Sequence, residues 1–176
     1  RLGADGLLGA SGLQRRESRL DLGLLPQVLQ AGELGFQAPS GEFLLAGIDR
    51  YAEFGFTTAQ EGRATAEAVA TEAALAEQGK LKLDVVAYPD IQGAAPAIGG
   101  PFLSKSYSGR FRIGGAKLTL DGSPQGKTAW LTKPYFKVPE GQAADYRGYA
   151  QFKDEQVNGF VDLAFKNGWQ LLAHVN

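Results

Sequence analysis

The sequence predicts an α/β protein with parallel strands, on three observations. A helical pattern closed by a glycine and followed by a β-rich apolar run recurs three times, at Gly55, Gly79 and Gly168; this is the rhythm of βα units around a parallel sheet. One run, Leu83–Tyr88, is apolar almost throughout, as a strand buried on both faces must be. No Gly-rich phosphate turn follows the first run, which disfavours a doubly wound open sheet.

Residues 1–42 are read as an irregular Gly/Leu-rich segment, because Gly3, Gly6, Gly9 and Gly12 break any helical period. Within it, Leu24–Gln30 predicts one short helix, and Arg15, Arg16 and Arg19 form a basic cluster read as solvated surface. Residues 43–176 are read as the organised unit. Ser40 is expected to cap a helix running to Phe54, with Phe43, Leu44, Ile48, Tyr51 and Ala52 along one face. Phe56–Gln60 is the first strand, and Ala64–Gln78 an Ala-rich second helix. After Leu83–Tyr88, Ala116–Leu120 is a third strand ended by Asp121-Gly122. Asp154 is expected to cap a helix whose Val157, Phe160, Val161, Ala164 and Phe165 mark one face, leading into a strand over Trp169–Val175. Four strands make about half of a TIM-type (β/α)8 barrel, a fold that takes roughly 250 residues.

Composition narrows the partners. The 18 basic and 19 acidic residues are well mixed and leave a net charge of -1, so there is no polyanion-binding footprint and nucleic acid is excluded as an expected partner. No apolar run approaches the length of a membrane span. A small-molecule substrate and further copies of the chain, as a homo-oligomer, are the partner classes left. With no cysteine, thiolate ligands and nucleophiles are excluded. The absence of methionine, even at position 1, suggests an interior piece of a longer chain.

Two connections are long, Pro89–Phe111 and Gly122–Lys153. In a barrel, loops that follow strands lie at the C-terminal mouth where active sites are built, so Trp130, Phe136, Tyr135, Tyr146 and Tyr149 either line a substrate pocket or pack the loop onto the rim. Lys117 stands out because its neighbours Ala116, Leu118 and Leu120 are apolar. A charged amine in such a strand is costly unless it is paired, neutralised, chemically altered or snorkels to solvent. His174, the only histidine, ends the last strand, as a hydrogen-bonded core residue or as a ligand.

Five segments, in this order, resemble the YtcJ-like branch of the amidohydrolase superfamily (amidohydrolase family 3). They are FGFTTAQEG (Phe54–Gly62), LDVVAYPD (Leu83–Asp90), GGAKLTLDGSPQGKTAWLTKPY (Gly114–Tyr135), YRGY (Tyr146–Tyr149) and LLAHVN (Leu171–Asn176). The resemblance implies a metallo-dependent hydrolase barrel, of which residues 43–176 are an interior part, and hydrolysis of an amide-like C–N bond through metal-activated water. It implies metal ligation by His174, matching the start of the family's H-x-x-G-D motif, and by Lys117, matching a lysine that takes up carbon dioxide as a carbamate. One or two divalent ions, zinc first, would be held there. Gln125, Lys127, Trp130 and Tyr135 fall in the loop expected to meet substrate.

The family also needs an H-x-H pair, a further histidine and a last-strand aspartate; none of these is in this sequence, so this piece alone is expected to be inactive. Glu61 and Asp121 follow strands and are candidate catalytic carboxylates at the same mouth, although Glu61 fits equally as a helix-start residue and Asp121 as a turn residue. Two other functions stay open on the residues: a non-catalytic barrel serving as a regulatory or small-molecule-binding protein, and a metal-free hydrolase pairing Glu61 with Asp121 as acid and base.

Overall fold

A computed structural model describes residues 38–176. The short helix expected over Leu24–Gln30 and the cluster of Arg15, Arg16 and Arg19 lie outside the described residues. The element order is α1 (Ala38–Glu53), β1 (Thr58–Ala64), α2 (Ala66–Glu77), β2 (Asp84–Pro89), a 3-10 turn (Ala95–Ala97), β3 (Phe111–Ile113), β4 (Gly115–Thr119), α3 (Asp154–Lys166) and β5 (Gln170–His174). No helix among the described residues is long and apolar enough to cross a membrane.

Local chemistry explains the boundaries. Helix α1 begins at Ala38, so Ser40 lies inside it and the last part of the segment read as irregular is helical; Pro39 is tolerated in a first turn, where its missing N–H has no partner to lose. Gly55 takes φ +80° after it and Gly79 φ +67° after α2, a left-handed turn that costs glycine little. Thr65 caps α2, its hydroxyl accepting from Ala68 N at 3.2 Å. Lys153, not Asp154, occupies the cap of α3, and its N–H is taken up by Gln156 Oε1 at 3.1 Å. Asp154 and Glu155 instead sit in the first turn, where carboxylates suit the helix dipole.

All strand pairings within the two sheets are parallel: β1 with β2, β2 with β3, and β4 with β5. The first strand starts two residues later than expected and is bulged between Glu61 and Ala64. Strand β3 was not foreseen. It and β4 act as one interrupted strand: Gly114 N–H donates to Ala87 O at 2.9 Å, Ile91 N–H donates to Lys117 O at 2.8 Å, and Asp90 bridges Lys117 in parallel register. The strand order is therefore β1, β2, β3/β4, β5, each beside the next, as the repeated pattern predicts. Among the described residues this array is open.

The interruption does steric work. A Cβ on Gly114 would come within 2.5 Å of Tyr88 Cζ, and one on Gly115 within 2.1 Å of Gln170 O. Tyr88 passes over this gap to donate its hydroxyl to Gln170 Oε1 at 3.2 Å, joining β2 to β5. Alternation slips by one residue at the two glycines, so Phe111 and Ile113 on one side of the break and Ala116 and Leu118 on the other all enter the same core. Helix α2 covers that core through Val69, Leu75 and Ala76, and α3 adds Ala164, with Val157 and Phe160 packed alongside.

One residue of the α2 stripe is not apolar. Glu72 is only 2% exposed and its Oε2 has no hydrogen-bond partner. Burial, followed by the nearby charge of Glu61, pushes its carboxyl up to about 8.

The folded state holds the Glu72 proton up to about pH 8, whereas the unfolded chain releases it near the ordinary glutamate value. Stability contributed by this group is thus full below the ordinary value and falls as pH rises towards 8. At ~1.4 kcal/mol per pKa unit the loss is on the order of a few kcal/mol. Glu72→Gln should melt higher than the parent at pH 8 and nearly equally at pH 5; equal pH dependence in thermal melts of the two proteins would refute the assignment. Separately, Gly114→Ala should cost about 1–3 kcal/mol through overpacking against Tyr88, measured by urea denaturation, and Tyr88→Phe should lose less because only the hydrogen bond goes.

Candidate active site

The C-terminal ends of parallel strands gather polar residues on the face of the sheet away from α2 and α3. Pairing sets Lys117 opposite Leu172 and Thr119 opposite His174. Paired residues in parallel strands point to the same side and residues two apart along a strand do likewise, so Lys117, Thr119 and His174 share one face. Ala116 and Leu118, which alternate with them, are buried in the core. Ideal spacings, about 6.6 Å along the strand and 4.8 Å across, put the α-carbons of Lys117 and His174 roughly 8 Å apart. Lys117 is half-buried rather than fully enclosed.

Around His174 the polar contacts are dense. Its Nε2 lies 3.1 Å from the carbonyl oxygen of Gly122. Asn176 Nδ2 donates to the same carbonyl at 2.7 Å and to Asp121 Oδ1 at 3.1 Å. Asp121 is 3% exposed, and its Oδ2 accepts from Trp130 N at 2.9 Å and Asn176 N at 3.3 Å. With three donors already on its two oxygens, Asp121 is equipped to position this end of the site rather than to take a proton from substrate. It stands 4.0 Å from His174 Nε2, beyond hydrogen-bond reach. Asn176 Nδ2 also lies 3.1 Å from His174 Nε2; in the tautomer that donates its Nε2 proton to Gly122 O, His174 keeps Nδ1 as its free lone pair.

Glu61 is not part of this assembly. It pairs with Ala87, which is wholly buried in the core on the helix side, so its side chain lies on the face opposite Lys117 and His174. There its Oε1 accepts from Arg63 N at 3.0 Å across the β1 bulge. The reason is that β1 runs on to Ala64, so Glu61 lies within the strand rather than after it and shares with Ala59 the side facing the helices. The same separation removes the acid–base pair of Glu61 with Asp121.

The loop after β4 is closed largely upon itself. Lys127 adopts φ +54° and its Nζ donates to Lys137 O. Tyr135 OH donates to Ala129 O and Tyr146 OH to Lys127 O, both at 2.9 Å, and the two rings stack with centroids 6.0 Å apart. A Cβ on Gly148 (φ +82°) would sit 1.9 Å from Ala129 O, which explains why that close approach needs glycine. Of the four loop residues expected to meet substrate, Lys127 and Tyr135 therefore spend their polar ends inside the loop, while Gln125 and Trp130 remain exposed.

Two residues that strand-end reasoning should have flagged are Asp90 and Arg63. Asp90 follows buried β2 as Asp121 follows β4, and its Oδ2 accepts from Arg63 Nε at 2.6 Å. Thr119 carries a third signal, visible only in the structure: its Oγ1 is buried with no partner. Among the described residues, no group of three or more His, Cys, Asp or Glu side chains is arranged to hold a metal ion.

Similar proteins agree with this geometry at the level of fold. Two solved structures, an uncharacterized metal-dependent hydrolase from Pyrococcus horikoshii OT3 and another from Pyrococcus furiosus, match with TM-scores of 0.62 and 0.61 at 22% identity. Each match covers 77% of this chain but only 27% and 28% of the respective structure, so the chain spans little more than a quarter of their length. No curated protein matches significantly. The sequence profile described as "Amidohydrolase family" matches residues 41–176, which include every element from β1 to β5 and both Lys117 and His174. The chain belongs to the amidohydrolase family.

Proposed function

We propose that the protein is a YtcJ-like, metal-dependent hydrolase of an amide-like C–N bond in a small molecule, and that residues 43–176 form one arc of its (β/α)8 barrel. The observation that supports this most directly is the shared face of Lys117 and His174, two register positions apart on adjacent parallel strands at the end of the sheet where barrel chemistry is assembled.

The donor chemistry fits a divalent ion. Lys117 as an ammonium is no ligand, but its neutral amine can add to carbon dioxide, losing a proton and leaving a carbamate whose two oxygens share one negative charge. His174 offers Nδ1 once Gly122 O holds its other nitrogen, the usual way in which an outer contact fixes a ligand's tautomer. These two residues would hold zinc, and in this reading the remaining ligands come from parts of the barrel that the chain does not span. When bound, the ion supplies Lewis acidity and brings the deprotonation of water towards neutral pH. Asp121 and Asn176 fix the strand end that carries His174, and the exposed Trp130 and Gln125 are the loop residues placed to meet substrate. Lys127 and Tyr135 serve by holding the loop's shape.

The test is made on the full-length protein. Lys117→Ala should lower bound zinc and abolish hydrolysis of amide substrates, and acetate should restore part of both by supplying carboxylate oxygens. Lys117→Arg should not rescue, since a guanidinium cannot form the carbamate. Zinc content and turnover that survive Lys117→Ala would overturn the proposed centre.

A further inference from the structure

A second feature of the same mouth is a polar cleft of about 80 Å³ between the ends of β1, β2 and β4, lined by Arg63, Asp90, Gln92, Thr119, Gln151 and Phe152. Its single acid is already engaged. Asp90 Oδ2 accepts from Arg63 Nε at 2.6 Å and Oδ1 from Gln92 N at 2.9 Å. Arg63 is gripped twice, at Nε by Asp90 and at its backbone N–H by Glu61, while its two terminal nitrogens make no hydrogen bond among the described residues. The buried Thr119 hydroxyl at the cleft likewise has no partner, and an orphaned buried polar group calls for an explanation. Arginine held at Nε still presents its outer nitrogens in a fork that matches the two oxygens of a carboxylate.

Around the Arg63–Asp90 pair, whose charges balance, stand the two free guanidinium nitrogens, two amides and a hydroxyl, each able to donate. The volume suits one small ionic group rather than a whole substrate. Its place is equally informative, because Asp90 pairs directly with Lys117 across β2 and β4. We propose that this cleft is a carboxylate-binding subsite gripped by Arg63, so that the hydrolysed molecule is an amide that also carries a carboxylate. This deepens the proposed hydrolase reading and rests on it for the identity of the occupant as substrate. Glu61, although remote from the reacting centre, acts through Arg63 as a positioning residue by holding the bulge.

The test uses full-length protein, with and without metal, and propionate as the probe in calorimetric titration. Propionate should bind in both metal states, and propionamide should bind at least about tenfold more weakly. Arg63→Ala should weaken propionate about tenfold, and Arg63→Lys should recover part, as loss of the fork with retention of charge requires. In turnover, Arg63→Ala should raise KM about tenfold for a carboxylate-bearing amide, with the larger effect on KM than on kcat, and should raise KM far less for the same amide with its carboxylate esterified. Should Arg63→Ala fail to fold, Gln92→Ala and Arg63→Lys carry the comparison. Propionate binding indifferent to Arg63, equal affinity for propionamide, or tighter Arg63-dependent binding of inorganic phosphate would each overturn the proposal. Retained zinc and turnover in Lys117→Ala would instead refute the carbamate centre, leaving an Arg63-dependent anion site in place; the two readings thus fail separately.

Discussion

The constraint on which the rest depends is the one-residue slip at Gly114–Gly115. Strict alternation from Phe111 and Ile113 would carry Lys117 into the core beneath the helices, where an amine has no partner. The slip instead keeps Ala116 and Leu118 in that core and turns Lys117 and Thr119 to the opposite face. It is made possible by the absence of two β-carbons, since Tyr88 fills the space beside Gly114 and Gln170 O the space beside Gly115. The ring that occupies the gap also ties β2 to β5, so the same two glycines set the sheet's continuity and the direction of its one strand lysine.

Much of the architecture was legible because it rests on period and punctuation. Leu83–Tyr88 reads as a strand in any setting, and the observed β2 is shifted by a single residue. The turns after α1, α2 and α3 fall at Gly55, Gly79 and Gly168 as the pattern requires. Strand β3 escaped notice because three residues, Phe-Arg-Ile, carry no period long enough to separate from a loop. The site was legible where strand ends decide it, as for Lys117, His174 and Asp121. It was illegible where a strand boundary decides it, as for Glu61: β1 runs four residues past the expected end at Gln60, to Ala64, so Glu61 is a mid-strand residue whose face alternation sets.

The loop after β4 shows a different limit. Its aromatic residues advertise contact, but sequence cannot say with what. Tyr135 and Tyr146 turn out to satisfy backbone carbonyls of their own loop, which is how a long segment without regular structure remains compact. Only the residues left over, among them Trp130, are free to face a ligand. The buried Asp121 carboxylate is the hinge between the two parts, taking donors from the loop at Trp130 and from the strand end at Asn176.

That carboxylate joins positions 55 residues apart, and Tyr88 meets Gln170 across 82. Contacts of such separation are closed late, because the loop entropy has to be overcome before they return anything. The α2 and β2 packing closes only short loops, whereas the His174 end is held by contacts that close long ones, so its entropic cost of ordering is the greater.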